Sequence, residues 1–244
     1  MTPEERQVRE HLAALYRLLD RMGLGHRIYS HHSARVPGDP EHMLLPPFGV
    51  LLEEVSASTF MKINRAGESV DPAGVESNKA ASILHWAAYN ARDDVMCVAH
   101  YHSAATVAVG ALDTGLLPMS QGAMQFYNRI GYHDYEGPTF DPAEQPRLAA
   151  DLGTHRVLLL RNHGALICGR SVAETYVLID DLEKACKSQL LAMSSGAELK
   201  LPPHEVCEQT AQYFAATMPQ PRGETRDFPA ALRQLERLGI EYKH

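Results

Sequence analysis

The sequence predicts an α/β protein, and three observations carry that expectation. Short apolar, β-branched runs recur along the chain, amphipathic stretches with helical spacing lie between them, and no repeat, low-complexity segment or linker divides the 244 residues. A chain of this length can bury one large core, so one domain is the economical reading.

Taken in order, residues 3–23 place Val8, Leu12, Leu15, Leu18 and Leu19 roughly on one helical face, with Gly23 as a stop signal. Residues 28–36 and 43–45 flank a Pro/Gly/Asp turn and read as a hairpin. In that first strand His31 and His32 point to opposite faces, so at most one of them can address a given site. Pro46-Pro47-Phe48-Gly49 is a turn, followed by a short helix and a strand over 61–64. Residues 78–92 read as a helix capped by Ser77, burying Ile83, Leu84, Ala87 and Ala88. A strand over 95–102 leads into an Ala/Val-rich helix that Ser103 begins. Residues 117–135, rich in Met, Tyr and Gly, show little clean period, and residues 143–152 return to a helical pattern. A strand over 157–163 is followed by its hairpin return over 165–169. A long helix over 171–195 then starts at Ser171, with Glu174 completing a capping box. Its Val172, Tyr176, Ile179, Leu182 and Cys186 recur at helical spacing as packing positions. Residues 201–244, containing Pro202, Pro203, Pro219 and Pro221, read as a C-terminal extension that packs on the domain of residues 1–200 or on a neighbouring subunit.

Composition excludes several classes of function. A formal net charge of −7 with no Lys/Arg cluster argues against a nucleic-acid surface. No apolar run approaches the roughly 20 residues of a membrane span. The first residues, MTPEERQVREHL, are charged and helical rather than a signal peptide. Cys97, Cys168, Cys186 and Cys207 are widely spaced without a CxxC pair, and the first two lie in apolar strands. Reduced core thiols and a cytoplasmic setting follow as expectations.

The chemistry concentrates at two strand exits. In the strand over 95–102, His100 and His102 share one side and Tyr101 faces the other, a half-site for a divalent metal. A lone His-x-His is a weak signal. The second strand adds weight, because it too ends in a histidine, His163, which enters a glycine turn. Three imidazoles from two strands suit a metal with open positions. His133-Asp134-Tyr135 is a further polar cluster, able to line a cleft.

With these stretches in this order (His-Tyr-His-Ser at 100–103, Arg-Asn-His-Gly-Ala at 161–165, Ser-Val-Ala-Glu-Thr-Tyr at 171–176, and Pro47-Phe48-Gly49), the chain resembles the class II aldolase/adducin head family over roughly residues 5–200. The resemblance implies a three-layer α/β/α domain around a central, mainly antiparallel sheet, and a homotetramer with active sites at subunit borders. It also implies one divalent ion, zinc or alternatively iron or manganese, held by His100, His102 and His163.

Departures from the sugar-phosphate aldolases narrow the expectation. Their phosphate-binding Gly-Asn pair corresponds here to Ser30 and His31, and their Ser-Ser-Glu triplet to Lys79, Ala80 and Ala81 when aligned on His85. That glutamate is the aldolase acid/base and an extra ligand, roles Ala81 cannot fill. The segment is instead similar to an adducin-like bacterial branch, with a Tyr-His-Asp-Tyr-Glu-Gly block at 132–137. The expected activity is metal-dependent lysis of a small non-phosphorylated 2-oxo or hydroxy acid, by retro-aldol cleavage or decarboxylation through a metal-stabilised enolate. A non-haem iron oxygenase/decarboxylase of arylpyruvate-type acids and a non-catalytic adducin-like interaction domain stay open as alternatives. Ser30 and Lys79 are expected to bind the substrate carboxylate, and His31, Tyr127 and His133 are the candidate proton-transfer groups. The expected partners are that carboxylate and further copies of the chain, with no nucleic acid and no membrane.

Overall fold

The computed structural model describes residues 1–216 and 223–244. Eight strands form one sheet: β1 (His31–Val36), β2 (Asp39–Leu45), β3 (Met61–Asn64), β4 (Ser69–Asp71), β5 (Cys97–Tyr101), β6 (Ile130–His133), β7 (Val157–Leu160) and β8 (Gly164–Gly169). Their spatial order is β4-β3-β2-β1-β5-β8-β7-β6. Every neighbouring pair is antiparallel except β6 with β7.

The helices are α1 (Pro3–Arg21), α2 (Lys79–Ala91), α3 (Ala104–Gly110), α4 (Gln121–Met124), α5 (Gln145–Leu152), α6 (Val172–Met193), α7 (His204–Ala216) and α8 (Asp227–Arg237). They divide between the two faces because β5, β7 and β8 are buried on both sides and alternate with period two. Leu12, Leu15 and Leu19 of α1 and Ile179 and Leu182 of α6 join Cys97, Ala99 and Tyr101 of β5 in one core. Leu84 and Ala88 of α2 and Leu148 and Leu152 of α5 join Val98, Leu158 and Leu166 in the other. The expected mixed α/β domain with helices on both faces of a mainly antiparallel sheet is what the chain forms.

Several boundaries move. β1 starts at His31 rather than at residue 28, because the Ser30 hydroxyl donates to the Leu24 carbonyl (3.1 Å) and ties residues 24–30 into a loop. Asn78, not Ser77, caps α2, accepting from Ala81 N at 3.2 Å. Glu174 does reach back at the start of α6, but to Arg170 N rather than to the cap residue's own N–H. The sequence pattern does not reveal β4, β6, α4, α7 or α8 as elements. In β6 the period is hidden by Gly131, whose missing side chain makes room for the Asp151 carbonyl of α5; an added Cβ would overlap that oxygen.

Of the C-terminal residues, α8 buries Phe228, Ala231 and Leu235 in the α1/α6 core, and the Tyr242 carbonyl accepts from Ala57 N at 2.8 Å. Pro219 and Pro221 lie outside the described residues. All four cysteines are free and buried. Among the described residues no helix is long and apolar enough to cross a membrane.

Candidate metal centre

Sheet register builds the site. His31 and His100 are direct cross-strand partners of β1 and β5, and Tyr101 of β5 pairs with Ala165 of β8. The second pairing brings the β7–β8 turn to the exit of β5. That turn is tight: Asn162 takes the left-handed conformation at φ 58°. Gly164 is required by proximity, since an added Cβ would meet the Tyr101 carbonyl at 2.5 Å and His102 Cδ2 at 2.9 Å. His163 is thereby laid against His102, with the two rings stacked at 5.0 Å between centroids.

The candidate ligand nitrogens of His100, His102 and His163 all lie within 4.8 Å of one another, and His100 Nε2 is 2.8 Å from His102 Nε2. His100 Nδ1 lies 3.1 Å from the Ala165 carbonyl, so it carries the proton and donates, leaving Nε2 bare and directed at the other two rings. Burial, assisted by the neighbouring imidazoles, pushes the His100 pKa well below the ordinary histidine value. Burial likewise takes His102 down to about 4 and lowers His163. Three neutral imidazoles converging from the exit of β5 and the β7–β8 turn are a donor set that fits a divalent ion, since no proton has to be displaced before coordination. His26 Nδ1 stands 3.2 Å from His102 Nδ1 and supplies an outer partner.

These rings form the floor of a cavity of about 770 Å³. Its walls are largely aromatic, with Tyr29, Phe48, Tyr135 and Phe140, while Asn78, Ala80 and Leu84 of the α2 region form another side. No carboxylate is among the lining residues. The cation there is Arg27, held at φ 51° with its guanidinium 5.1 Å from the Tyr29 ring centre, and it has no ion-pair partner among the described residues.

The remaining predicted site residues separate clearly. His31 lines the cavity, with its ring 4.9 Å from that of His100. Lys79 does not line it: it is the exposed first residue of α2, and Arg27 is the cavity's cation instead. Ser30 serves the loop that presents His26 and Arg27, through its bond to the Leu24 carbonyl, and is not among the lining residues. Tyr127 is turned to α7, its hydroxyl 2.9 Å from His204 Nδ1. His133 is buried beside α5, its Nδ1 2.7 Å from Asp151 Oδ2 and its Nε2 3.4 Å from Glu144 Oε1. Within the 132–137 block it is Tyr135 that reaches the cavity, its ring 6.3 Å from that of His163. Ala81 packs in the α2/α5 core. Sequence reasoning misses His26, Arg27 and Asn78; residues 26–27 sit in a run that resembles the start of a strand, and the only hint of a loop is the preceding Gly23 and Gly25.

Comparison with known proteins agrees with this architecture. The family model described as Class II Aldolase and Adducin N-terminal domain matches residues 10–190. A Pseudomonas aeruginosa protein with a provisional aldolase class 2 name is 38% identical over 241 residues, covering 98% of this chain and 93% of that protein. Alpha-adducin of Rattus norvegicus is 37% identical over 251 residues, covering 96% of this chain but 34% of the adducin. The crystal structure of an aldolase II superfamily protein from Pseudomonas syringae superposes with a TM-score of 0.94 at 41% identity, covering 100% of this chain and 98% of that one. On the family model, the sequence relatives and the fold together, the chain belongs to the class II aldolase and adducin N-terminal domain family.

Proposed function

We propose that this protein is a divalent-metal-dependent carbon–carbon lyase acting on a small, non-phosphorylated 2-oxo or 2-hydroxy acid. The observation that carries the reading is the cavity itself. Three neutral imidazoles converge at its floor, its walls are aromatic, and Arg27, without an ion-pair partner among the described residues, offers its guanidinium to an anion. When bound there, a divalent ion supplies Lewis-acid polarisation of a substrate carbonyl oxygen. Arg27 pairs with the carboxylate, a role that its planar fork suits. Tyr29, Phe48 and Tyr135 flank the substrate and offer apolar ring faces to its carbon skeleton. A phosphate dianion would find Arg27 as the one Lys/Arg cation among the lining residues, so sugar phosphates are poor candidates. Homotetramer assembly with the cavities near subunit borders, and a cytoplasmic setting that keeps the four buried thiols reduced, belong to the same reading.

Identity with alpha-adducin favours one alternative, an interaction domain without catalysis. One experiment separates the two. Protein purified without added metal is analysed for bound ions, then assayed against non-phosphorylated 4-hydroxy-2-oxo acids and ketose 1-phosphates. The lyase reading expects about one divalent ion per chain and turnover of the oxo acids. It also expects Arg27→Met to raise KM about tenfold or more, a loss of at least about 1.4 kcal/mol of carboxylate binding. Folded, metal-free, inactive protein would support the interaction domain, and efficient ketose-phosphate cleavage would overturn the assignment of substrate class.

A further inference from the structure

Behind the cavity wall a line of buried polar groups runs from the sheet into α2. His31 Nδ1 lies 2.9 Å from His85 Nε2, His85 Nδ1 lies 2.6 Å from Ser33 Oγ, and Ser33 Oγ lies 2.9 Å from Tyr89 Oη. All four side chains are buried, and Ser33 and His85 are fully enclosed. His31 and Ser33 are two apart on β1 and so share its α2 side, while His85 and Tyr89 are four apart on α2 and share one helical face. Arg35 holds the far end, donating from Nη2 to the Tyr89 carbonyl at 2.5 Å with its guanidinium 4.7 Å from the Tyr89 ring centre.

The direction of these hydrogen bonds follows from counting protons. Three contacts join four groups, and each group, with its imidazole neutral, brings one proton. Burial holds the Tyr89 proton on its oxygen. Among the described residues Ser33 Oγ is the acceptor within reach of that proton. If Tyr89 donates to Ser33, then Ser33 donates to His85 Nδ1. His85 must then carry its proton on Nε2 and donate to His31 Nδ1, which leaves the His31 proton on Nε2. Any arrangement with the His31 proton on Nδ1 strands a buried proton, that of Tyr89 if Ser33 donates to it or that of Ser33 if Ser33 accepts from both neighbours. A stranded buried donor disfavours that arrangement by roughly tenfold or more.

We propose that Ser33, backed by Tyr89 and acting through His85, is a positioning residue that fixes His31 as the Nε2–H tautomer. His31 then presents a hydrogen-bond donor, not a lone pair, to an oxygen in the cavity. His31 thus stands beside the three candidate ligands, its ring 4.9 Å from that of His100, as a donor rather than as a fourth ligand. A neutral His31 protonated on Nε2 has no lone pair there for a metal. The same tautomer leaves His31 a single role, holding a developing oxyanion by donation. That last consequence rests on the lyase reading, whereas the tautomer does not.

The test is nitrogen-15 NMR of histidine-labelled, zinc-loaded protein at pH 7, where a protonated ring nitrogen and a bare one resonate far apart. Wild-type protein is expected to show Nε2 protonated and Nδ1 bare on both His31 and His85. Ser33→Ala removes the hydroxyl proton that sets the polarity at His85, and the two tautomers of His31 should then approach comparable populations, a roughly tenfold shift in their ratio. Tyr89→Phe leaves the Ser33 proton on His85 and should keep the wild-type signature, as should Ser33→Thr, which retains a hydroxyl. If the protein is a lyase, Ser33→Ala lowers kcat about tenfold with KM little changed, because the donor is needed at the developing charge. A bare Nε2 on His31 in the wild-type protein overturns the proposal without any variant having to fold. So does a Ser33→Ala protein with the His31 tautomer unchanged. A wild-type signature as expected in a protein with no lyase activity would keep the proposal and remove only the lyase reading.

Discussion

Replacing His100 by glutamine is expected to empty the centre. His100 is 1% exposed, and its Nδ1–H is already committed to the Ala165 carbonyl, so its Nε2 faces the other two rings with no freedom to turn away. Glutamine is close in size and polar, but it lacks both that anchoring N–H and a soft nitrogen lone pair. The loss of one ligand from three should weaken binding of a divalent ion on the order of 10³-fold, which is about 4 kcal/mol. Metal content after dialysis should fall from about one ion per chain to below roughly a tenth, and isothermal titration should report the weakened affinity. His32→Leu is the matched control. It alters the residue beside the cross-strand pair, yet on the opposite face of the sheet, and should leave the metal content unchanged. Unaltered metal binding by His100→Gln would place the ion elsewhere.

Acidification should destabilise the fold steeply before the carboxylates titrate. His32 packs against Tyr16, with ring centres 4.6 Å apart, and neither of its ring nitrogens has a hydrogen-bond partner among the described residues. Burial drives its pKa down to about 3, and burial does the same to His85. In the unfolded chain both rings take up protons near pH 6.5. Each therefore contributes stability that is whole above about pH 6.5 and is lost as the pH falls towards 3, at up to about 1.4 kcal/mol per unit. Between pH 7.5 and pH 5 the two rings together should cost about 4 kcal/mol, a large share of an ordinary 5–15 kcal/mol. Urea titrations at a series of pH values check the slope. His32→Leu should flatten it by about one proton, recovering about 2 kcal/mol at pH 5. The variant should fold, because the Tyr16 hydroxyl bonds to the His32 backbone N–H and carbonyl, both at 2.7 Å, rather than to its ring. An unchanged slope in His32→Leu would show that this ring is not the acid-labile group.

Much of the centre is legible in the chain. The period of two that joins His100 to His102 across Tyr101, and the Asn-His-Gly turn that must be tight, are local facts of backbone geometry. So are the helical spacing of α1 and α6 and the opposed faces of His31 and His32, which the fold divides between the cavity and the Tyr16 core. The misplacements share one cause. Lys79, Tyr127 and His133 are reasonable candidates by residue type and neighbourhood in sequence, but a local pattern says which residues lie on the same side, not which side faces the ion.

Sequence alone thus determined the family, the mixed α/β layering and the three imidazoles, because periodicity and turn chemistry are encoded over a few residues. Tertiary structure decided which groups meet them. The β1–β5 register set His31 against His100, the loop pinned by Ser30 delivered Arg27 in place of Lys79, and α5 drew His133 away to Asp151. The Ser30 bond is local but sits in a stretch without a period to read, whereas the His31–His100 and His133–Asp151 pairings join separate elements, where the burial of two cores rather than any local preference selects the arrangement.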